Sequence, residues 1–241
     1  MFDYDAEMRF LQARFRAACG VQSGDRVLDV GCGGGQTTRA AAADARPGRV
    51  VGVDVSERML AHARRHTSEG HVSYLLADAA TYDFGPAAFE VGISRFGVMF
   101  FDDPVRAFAN LRRACERLVV MVWQPRAANE WARVIPETIG GAFRDESPFT
   151  LGSRDVARDV LTSAGFADPT FTAVHERLYY GPDVESAYEN ALRLREPQAL
   201  LAELAPAQAD RAREALRAML SARDSDDGIL FDSAAWIIQA V

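Results

Sequence analysis

The stretch from Arg26 to Asp54 decides the fold. It reads R-V-L-D-V-G-C-G-G-G-Q-T-T over 26–38, then an alanine-rich run, then R-V-V-G-V-D over 49–54. The apolar run from Val27 to Val30 ends in Gly31, Gly33, Gly34 and Gly35. Such a run followed by glycines reads as a buried strand turning tightly into a helix. A second apolar run, Val50 to Val53, ends in Asp54. The order strand, glycine turn, helix, strand, acid is half of a nucleoside-binding α/β unit.

Glycines let the backbone take positive φ and let a ligand approach without meeting a Cβ. Asp54 follows Gly31 by 23 positions, where a carboxylate can accept both hydroxyls of a ribose. NAD, FAD and S-adenosylmethionine all fit that much. A dinucleotide fingerprint needs a glycine at its sixth position, which is Gln36 here. Asp29 stands two residues before the first glycine. A carboxylate there is awkward beside a pyrophosphate and suits a ligand that carries an ammonium and a sulfonium. A plain strand-to-helix turn is the competing reading, and the spacing to Asp54 speaks against it.

Length and composition bound the rest. At 241 residues, 49% hydrophobic and 25% charged, the chain suits one sizeable α/β domain or a domain with an inserted cap. The net charge is −7, and no arginine cluster is dense enough for the basic face of a nucleic-acid binder. All 27 basic residues are arginine, which excludes a P-loop lysine and any Schiff-base lysine. Cys19, Cys32 and Cys115 are far apart, so neither a disulfide framework nor a zinc site is expected, and a reducing cytoplasm is. The N-terminus is acidic and lacks the pattern of a signal peptide. No apolar run has the length of a membrane span.

Further along, strands and helices alternate. Met8, Leu11, Phe15 and Ala18 have helical spacing, giving a helix over 5–19, and another helix follows the glycines over about 35–44. Ser56 is an N-cap for a helix to His66; His62 and His66 on it read as a solvated face. Strands are expected over 72–77, 89–94, 118–123 and 170–177, with the last around 234–240. Pro104 starts a helix at its favoured first position. Residues 124–152 read as a partly helical insertion over the carboxyl end of the sheet, and 183–222 as two helices broken near Pro197 and Pro206. The alternation argues for a mostly parallel sheet covered on both faces. It makes one domain over 1–241, with cap elements at about 1–20, 124–152 and 183–222.

V-L-D-V-G-C-G-G-G followed by V-V-G-V-D-V-S resembles the first motif, and the acidic motif after it, of the class I methyltransferases that use S-adenosylmethionine. The run S-R-F-G-V-M-F-F-D-D-P-V-R-A-F-A-N-L-R-R is similar to the menaquinone- and ubiquinone-biosynthesis type and its small-molecule relatives. So are V-W-Q-P-R-A-A-N-E-W and the terminal A-A-W-I-I-Q-A. The likeness is tight over 24–131 and loose beyond. It implies a Rossmann-like sheet of seven strands, the last antiparallel, with helices on both faces. It implies that Gly31, Cys32 and Gly33 lie under the methionine part of the cofactor, with Asp29 near its amino group. Asp54 would hold the ribose, Val55 and Met59 the adenine, and Asp78 with Ala79 the adenine amino group; Ser94 would sit where the fourth strand points at the methyl. The product would be S-adenosylhomocysteine. Two features depart from the pattern: a Pro-Gly-Gly turn before the fifth strand is shortened to Cys115-Glu116-Arg117, and the N-terminal segment is short. The N-P-P-Y-type motif of DNA adenine and protein glutamine methyltransferases is absent.

Methyl transfer is a displacement at a cation, so alignment and water exclusion can suffice. A base is needed only for a protonated nucleophile. His175, Arg95 and Tyr179 are the weak catalytic candidates, with Glu130 a possible lining residue and Tyr4 or Phe10 within reach if the first helix folds over. The aromatic set Phe96, Phe100, Phe101 and Trp131 suits an apolar acceptor or a plain core. The expected partner is a small-molecule or peptide acceptor, with no nucleic acid, no membrane and no metal; a homodimer is left open. Alternatives are methylation of a protein N-terminus and a nonenzymatic binding partner of the same fold. An NAD(P) reductase comes last, because Gln36 breaks its fingerprint and Tyr-x-x-x-Lys needs a lysine.

Overall fold

The computed structural model describes residues 7–141 and 144–241. One mixed sheet of seven strands runs in the order β3-β2-β1-β4-β5-β7-β6. The strands are β1 (Arg26–Val30), β2 (Arg49–Asp54), β3 (Val72–Leu76), β4 (Phe89–Arg95), β5 (Cys115–Trp123), β6 (Thr170–Gly181) and β7 (Ile229–Ala240). The first five pair in parallel, and β7 pairs antiparallel with β5. The helices are α1 (Arg9–Cys19), α2 (Gln36–Ala45), α3 (Glu57–Arg65), α4 (Pro104–Ala114), α5 (Glu130–Thr138), α6 (Arg154–Ser163), α7 (Val184–Arg193), α8 (Arg195–Ala202) and α9 (Pro206–Ser221).

The chain divides into two compact units. The first is Gln12–Gln124, Ser147–Val174 and Ala235–Val241; the second is Met1–Leu11, Pro125–Glu146 and His175–Ala234. Of the expected cap segments, 183–222 lies in the second unit, whereas 1–20 and 124–152 are divided between the two, with 12–20 and 147–152 in the first. Among the described residues no helix is long and apolar enough to cross a membrane.

In the first unit the central strands are buried on both faces, as helices covering a parallel sheet demand. Glycines in these strands make room for cysteines. A Cβ on Gly52 would lie 2.9 Å from Cys32 Sγ, and one on Gly92 would lie 2.9 Å from Cys115 Sγ. Burial pushes the Cys115 thiol up to about 12 and raises Cys19 and Cys32 as well. All three are free, buried and inert packing groups. Asp103 caps α4 by accepting from Arg106 N at 3.0 Å, and Ser56 caps α3 by accepting from Met59 N at 3.4 Å.

The second unit packs α5, α7, α8 and α9 with the adjoining halves of β6 and β7. Tyr180 and Phe231 meet at 4.7 Å between centroids. Glu130 accepts from Arg223 at 2.7 Å and from Asp232 N at 2.9 Å.

Four expectations are corrected. The strand expected over 170–177 runs to Gly181, because its inward alternation continues through the buried Leu178 and Tyr180. The last strand fills the whole of Ile229–Ala240 and is not confined to 234–240. Residues 183–222 form three helices, not two. The chain breaks at Leu194, extended at φ −70° and ψ 141°. Pro197 falls in the first turn of α8, where a missing N–H costs nothing. The strand expected over 118–123 begins at Cys115, directly after α4 ends at Ala114, so the residues read as a shortened turn, Cys115-Glu116-Arg117, belong to β5.

Arg26 on β1 and Glu90 on β4 form a surface pair at 2.6 Å. The hydrogen bond from Arg26 is the main cause that holds the Glu90 carboxyl down at about 2, against 4.5 ordinarily. A depressed folded-state value means stability that is present above 4.5 and is lost as pH falls through 2. The stability gap between wild type and Glu90→Gln should therefore close as pH is lowered across that window, read from urea midpoints. A gap that stays constant with pH would refute it.

Candidate functional site

The site is built at the carboxyl ends of β1, β2, β3 and β4, all within the first unit. Gly31, Gly33 and Gly35 have φ of 66°, 52° and 81°, the left-handed region that glycine enters without penalty. Gly31 N and Cys32 N donate to Val53 O at 2.9 and 3.1 Å. The turn is thereby sewn to the end of β2. Gly35 is the N-cap of α2, without a side-chain cap.

Crossing this turn is the end of β4. A Cβ on Gly31 would stand 2.7 Å from Gly97 Cα, and one on Gly97 would stand 2.6 Å from Val30 O. Ser94 ties the two together: its hydroxyl donates to Val30 O at 2.7 Å and accepts from Gly97 N at 3.2 Å. To bring Gly97 over the turn, Phe96 adopts φ 61°, costly for an aromatic residue. Its ring stacks on Trp123 with centroids 3.9 Å apart.

Asp54 ends β2 with its carboxylate fixed on both oxygens. Gly33 N donates to one at 2.9 Å and Ser56 N to the other at 2.8 Å. Each carboxylate oxygen keeps a further lone pair, and the residue is only partly buried. Next to it Val55 is 73% exposed, an apolar side chain without cover. Asp78 is exposed after β3 and accepts from Ala80 N at 2.9 Å. Ala79 beside it is buried, and its carbonyl accepts from Asn110 Nδ2 at 3.0 Å. A glycine-rich turn, an oriented carboxylate, an exposed valine and a second acid fit a nucleoside.

Gly33, Asp54 and Met59 are brought together at the turn, with Gly31 and Val55 as their chain neighbours; Asp78 and Ala79 follow β3, whose Leu76 pairs with Asp54. Asp29, Cys32 and Ser94 lie beneath the turn. Asp29 is 1% exposed and accepts from the Thr38 hydroxyl at 2.6 Å. Ser94 is fully buried, with its hydroxyl engaged as described. These residues shape the rim from below, because protein groups already occupy their polar atoms.

Arg95 closes β4. Its Nη1 donates to Gln12 Oε1 of α1 at 2.8 Å and to Gln36 Oε1 of α2 at 2.7 Å. This three-element junction is not legible in the sequence, where Gln36 appears only as a broken fingerprint. The other catalytic candidates lie in the second unit. His175 is exposed in the middle of β6. Tyr179 carries the Arg9 guanidinium 3.7 Å over its ring. Of the expected aromatic set, Phe100 is 57% exposed and Phe96 buried, both in the first unit; Trp131 belongs to the second. Tyr4 lies outside the described residues. Among the described residues no group of three or more His, Cys, Asp or Glu is placed to hold a metal.

Residues 27–117 match the family model described as a methyltransferase domain. An aklanonic acid methyltransferase of Streptomyces sp. (strain C5) is 34% identical over 91 residues, 36% of this chain. The chain spans 41% of that relative's length. A nocamycin O-methyltransferase of Saccharothrix syringae is 29% identical over 198 residues, covering 70% of this chain and 69% of that one. Among solved structures, the YcgJ protein of Bacillus subtilis shares the fold at TM-score 0.65 and 15% identity, over 96% of this chain and 97% of that one.

Gly31→Ala should unsettle the whole rim. Its φ alone costs roughly 1–3 kcal/mol, and the new methyl would meet Gly97 backbone. A clearly lowered melting temperature is expected, against near-wild-type melting for Gly70→Ala, where a Cβ meets nothing within 4 Å. Equal melting of the two variants would refute the crossing.

Proposed function

We propose that this chain, whose residues 27–117 match a methyltransferase domain model, transfers a methyl group from S-adenosylmethionine to an oxygen of a small-molecule acceptor. The observation that carries the reading is the Asp54 carboxylate. It is oriented by two backbone amides at the end of β2, one of them from Gly33 of the glycine turn. When bound, S-adenosylmethionine supplies an electrophilic methyl on a sulfonium and leaves as S-adenosylhomocysteine.

Each residue then has a task. Asp54 accepts the ribose hydroxyls through its remaining lone pairs. Gly31 and Gly33 admit the methionine arm. Val55 and Met59 cover the adenine, and Asp78 with Ala79 reads its amino edge. Exposed apolar surface on Val55 favours a flat ring. The crossing of β4 over the turn aligns the acceptor side with the methyl, so that proximity and exclusion of water supply the rate. Among the described residues no histidine stands at the ends of β1, β2 or β4. An acceptor oxygen acidic enough to ionise in water needs no base. The names of the two relatives support that acceptor class: one methylates aklanonic acid and the other is an O-methyltransferase. The net charge of −7 favours a small molecule over nucleic acid.

Isothermal titration tests the reading. Wild type should bind S-adenosylhomocysteine, and Asp54→Ala should weaken it by about thirtyfold, since charge-assisted hydrogen bonds contribute roughly 1.5–3 kcal/mol. Mass spectrometry should then find one added methyl on a panel of phenolic and carboxylic acceptors. No heat with S-adenosylmethionine, together with tight binding of NAD, would overturn it.

A further inference from the structure

Asp29 and Thr38 make a buried tie beneath the glycine turn. Asp29 sits one residue before the end of β1, and Thr38 is the third residue of α2. Asp29 is 1% exposed and Thr38 fully buried. The Thr38 hydroxyl donates to Asp29 Oδ2 at 2.6 Å. The N-cap of α2 is Gly35, which provides no side-chain cap. Between the two residues runs the whole turn, Gly31 to Gly35. Cys32 lies close to both: its buried thiol is raised chiefly by desolvation and then by the Asp29 and Asp54 carboxylates, and a hydrogen bond with Thr38 opposes that rise. The turn hands its geometry on through Gly33 N, which donates to Asp54 at 2.9 Å.

We propose that Asp29 is a positioning residue for the nucleoside, acting through Thr38 and the turn rather than by meeting the ammonium of the methionine arm. The inference rests on the S-adenosylmethionine reading above. The physical reason is access. A carboxylate under the turn, with no solvent-facing surface and a hydroxyl on one oxygen, is a poor partner for a ligand group on the turn's outer side. It is well placed to hold α2 against β1. That distance sets where Gly33 N lies, and Gly33 N sets the orientation of Asp54. Asp29 therefore reaches the ribose by way of protein groups, and the amino-acid arm of the ligand is not part of the path.

A pair of ligands separates the two roles. S-adenosylhomocysteine carries the ammonium arm; methylthioadenosine has the same nucleoside and no arm. Their dissociation constants are measured by titration on the full chain for Thr38→Val, Thr38→Ser, Asp29→Asn and Asp29→Ala. Thr38→Val and Asp29→Ala should weaken both ligands alike, by about tenfold, the loss of one buried charge-assisted hydrogen bond. Thr38→Ser keeps the hydroxyl and should bind both as wild type does. Asp29→Asn keeps an acceptor for Thr38 and should weaken both by less than Asp29→Ala. Should Asp29→Ala fail to fold, Thr38→Val, nearly the same shape, carries the test with the same two ligands. Weakening of S-adenosylhomocysteine alone by Asp29→Asn, with methylthioadenosine unchanged, would overturn the proposal in favour of contact with the arm. So would unchanged binding of both ligands by Thr38→Val. Wild-type protein that binds neither ligand overturns the S-adenosylmethionine reading, and this inference with it.

Discussion

The backbone crossing of Gly31 and Gly97 is the contact on which the site depends. Two parallel neighbours, β1 and β4, end side by side, and their outgoing chains pass with no space for a Cβ on either. The buried Ser94 hydroxyl bonds to both chains. Because the chains touch, β4 must turn sharply after Arg95, and Phe96 takes a left-handed conformation to do so. The strain is local, and the stack of Phe96 on Trp123 offsets it. A ligand rim made of backbone is the consequence. It owes its shape to hydrogen bonds rather than to mobile side chains.

Beneath that rim the polar groups are engaged with one another. Asp29 accepts from Thr38, and Asp54 from Gly33 and Ser56. Buried polar groups need such partners, and here each partner is part of the turn or of the helix behind it. The effect is preorganisation: the carboxylate that would accept a ribose is oriented before the ribose arrives. The three cysteines contribute volume and no chemistry, since burial keeps their thiols protonated. Arg95 adds a further tie, joining the N-terminal helix to the first residue of α2 through two carboxamide oxygens.

Much of this was readable from the chain alone. Short apolar runs, glycines and terminal acids are local signals, and they point to β1, α2, β2, the N-cap of α3 and the first residue of α4. Helix and strand ends were less legible. A proline marks a helix break and a first helical turn alike, and Pro197 takes the second role, as the third residue of α8. The full length of β6 is not legible either, because the Gly181-Pro182 pair marks only where the strand must stop. Partners distant in sequence were not legible at all. Nothing local says that Ser94 bonds Val30, that Gln12 and Gln36 share one arginine, or that Glu130 bonds Arg223 in the second unit.

The sequence by itself determined the α/β class, the glycine turn with an acid at the end of the next strand, and the exclusion of lysine chemistry, because periodicity, glycine spacing and composition are properties of neighbours along the chain. Tertiary structure alone decided which of the rim's residues face outward and which lie beneath. Asp29 and Asp54 both stand near the carboxyl end of a strand beside the same turn. They differ because strand register and the crossing of β4 bury one with Thr38 and leave the other partly open on the rim, and burial is set by contacts between residues far apart in sequence.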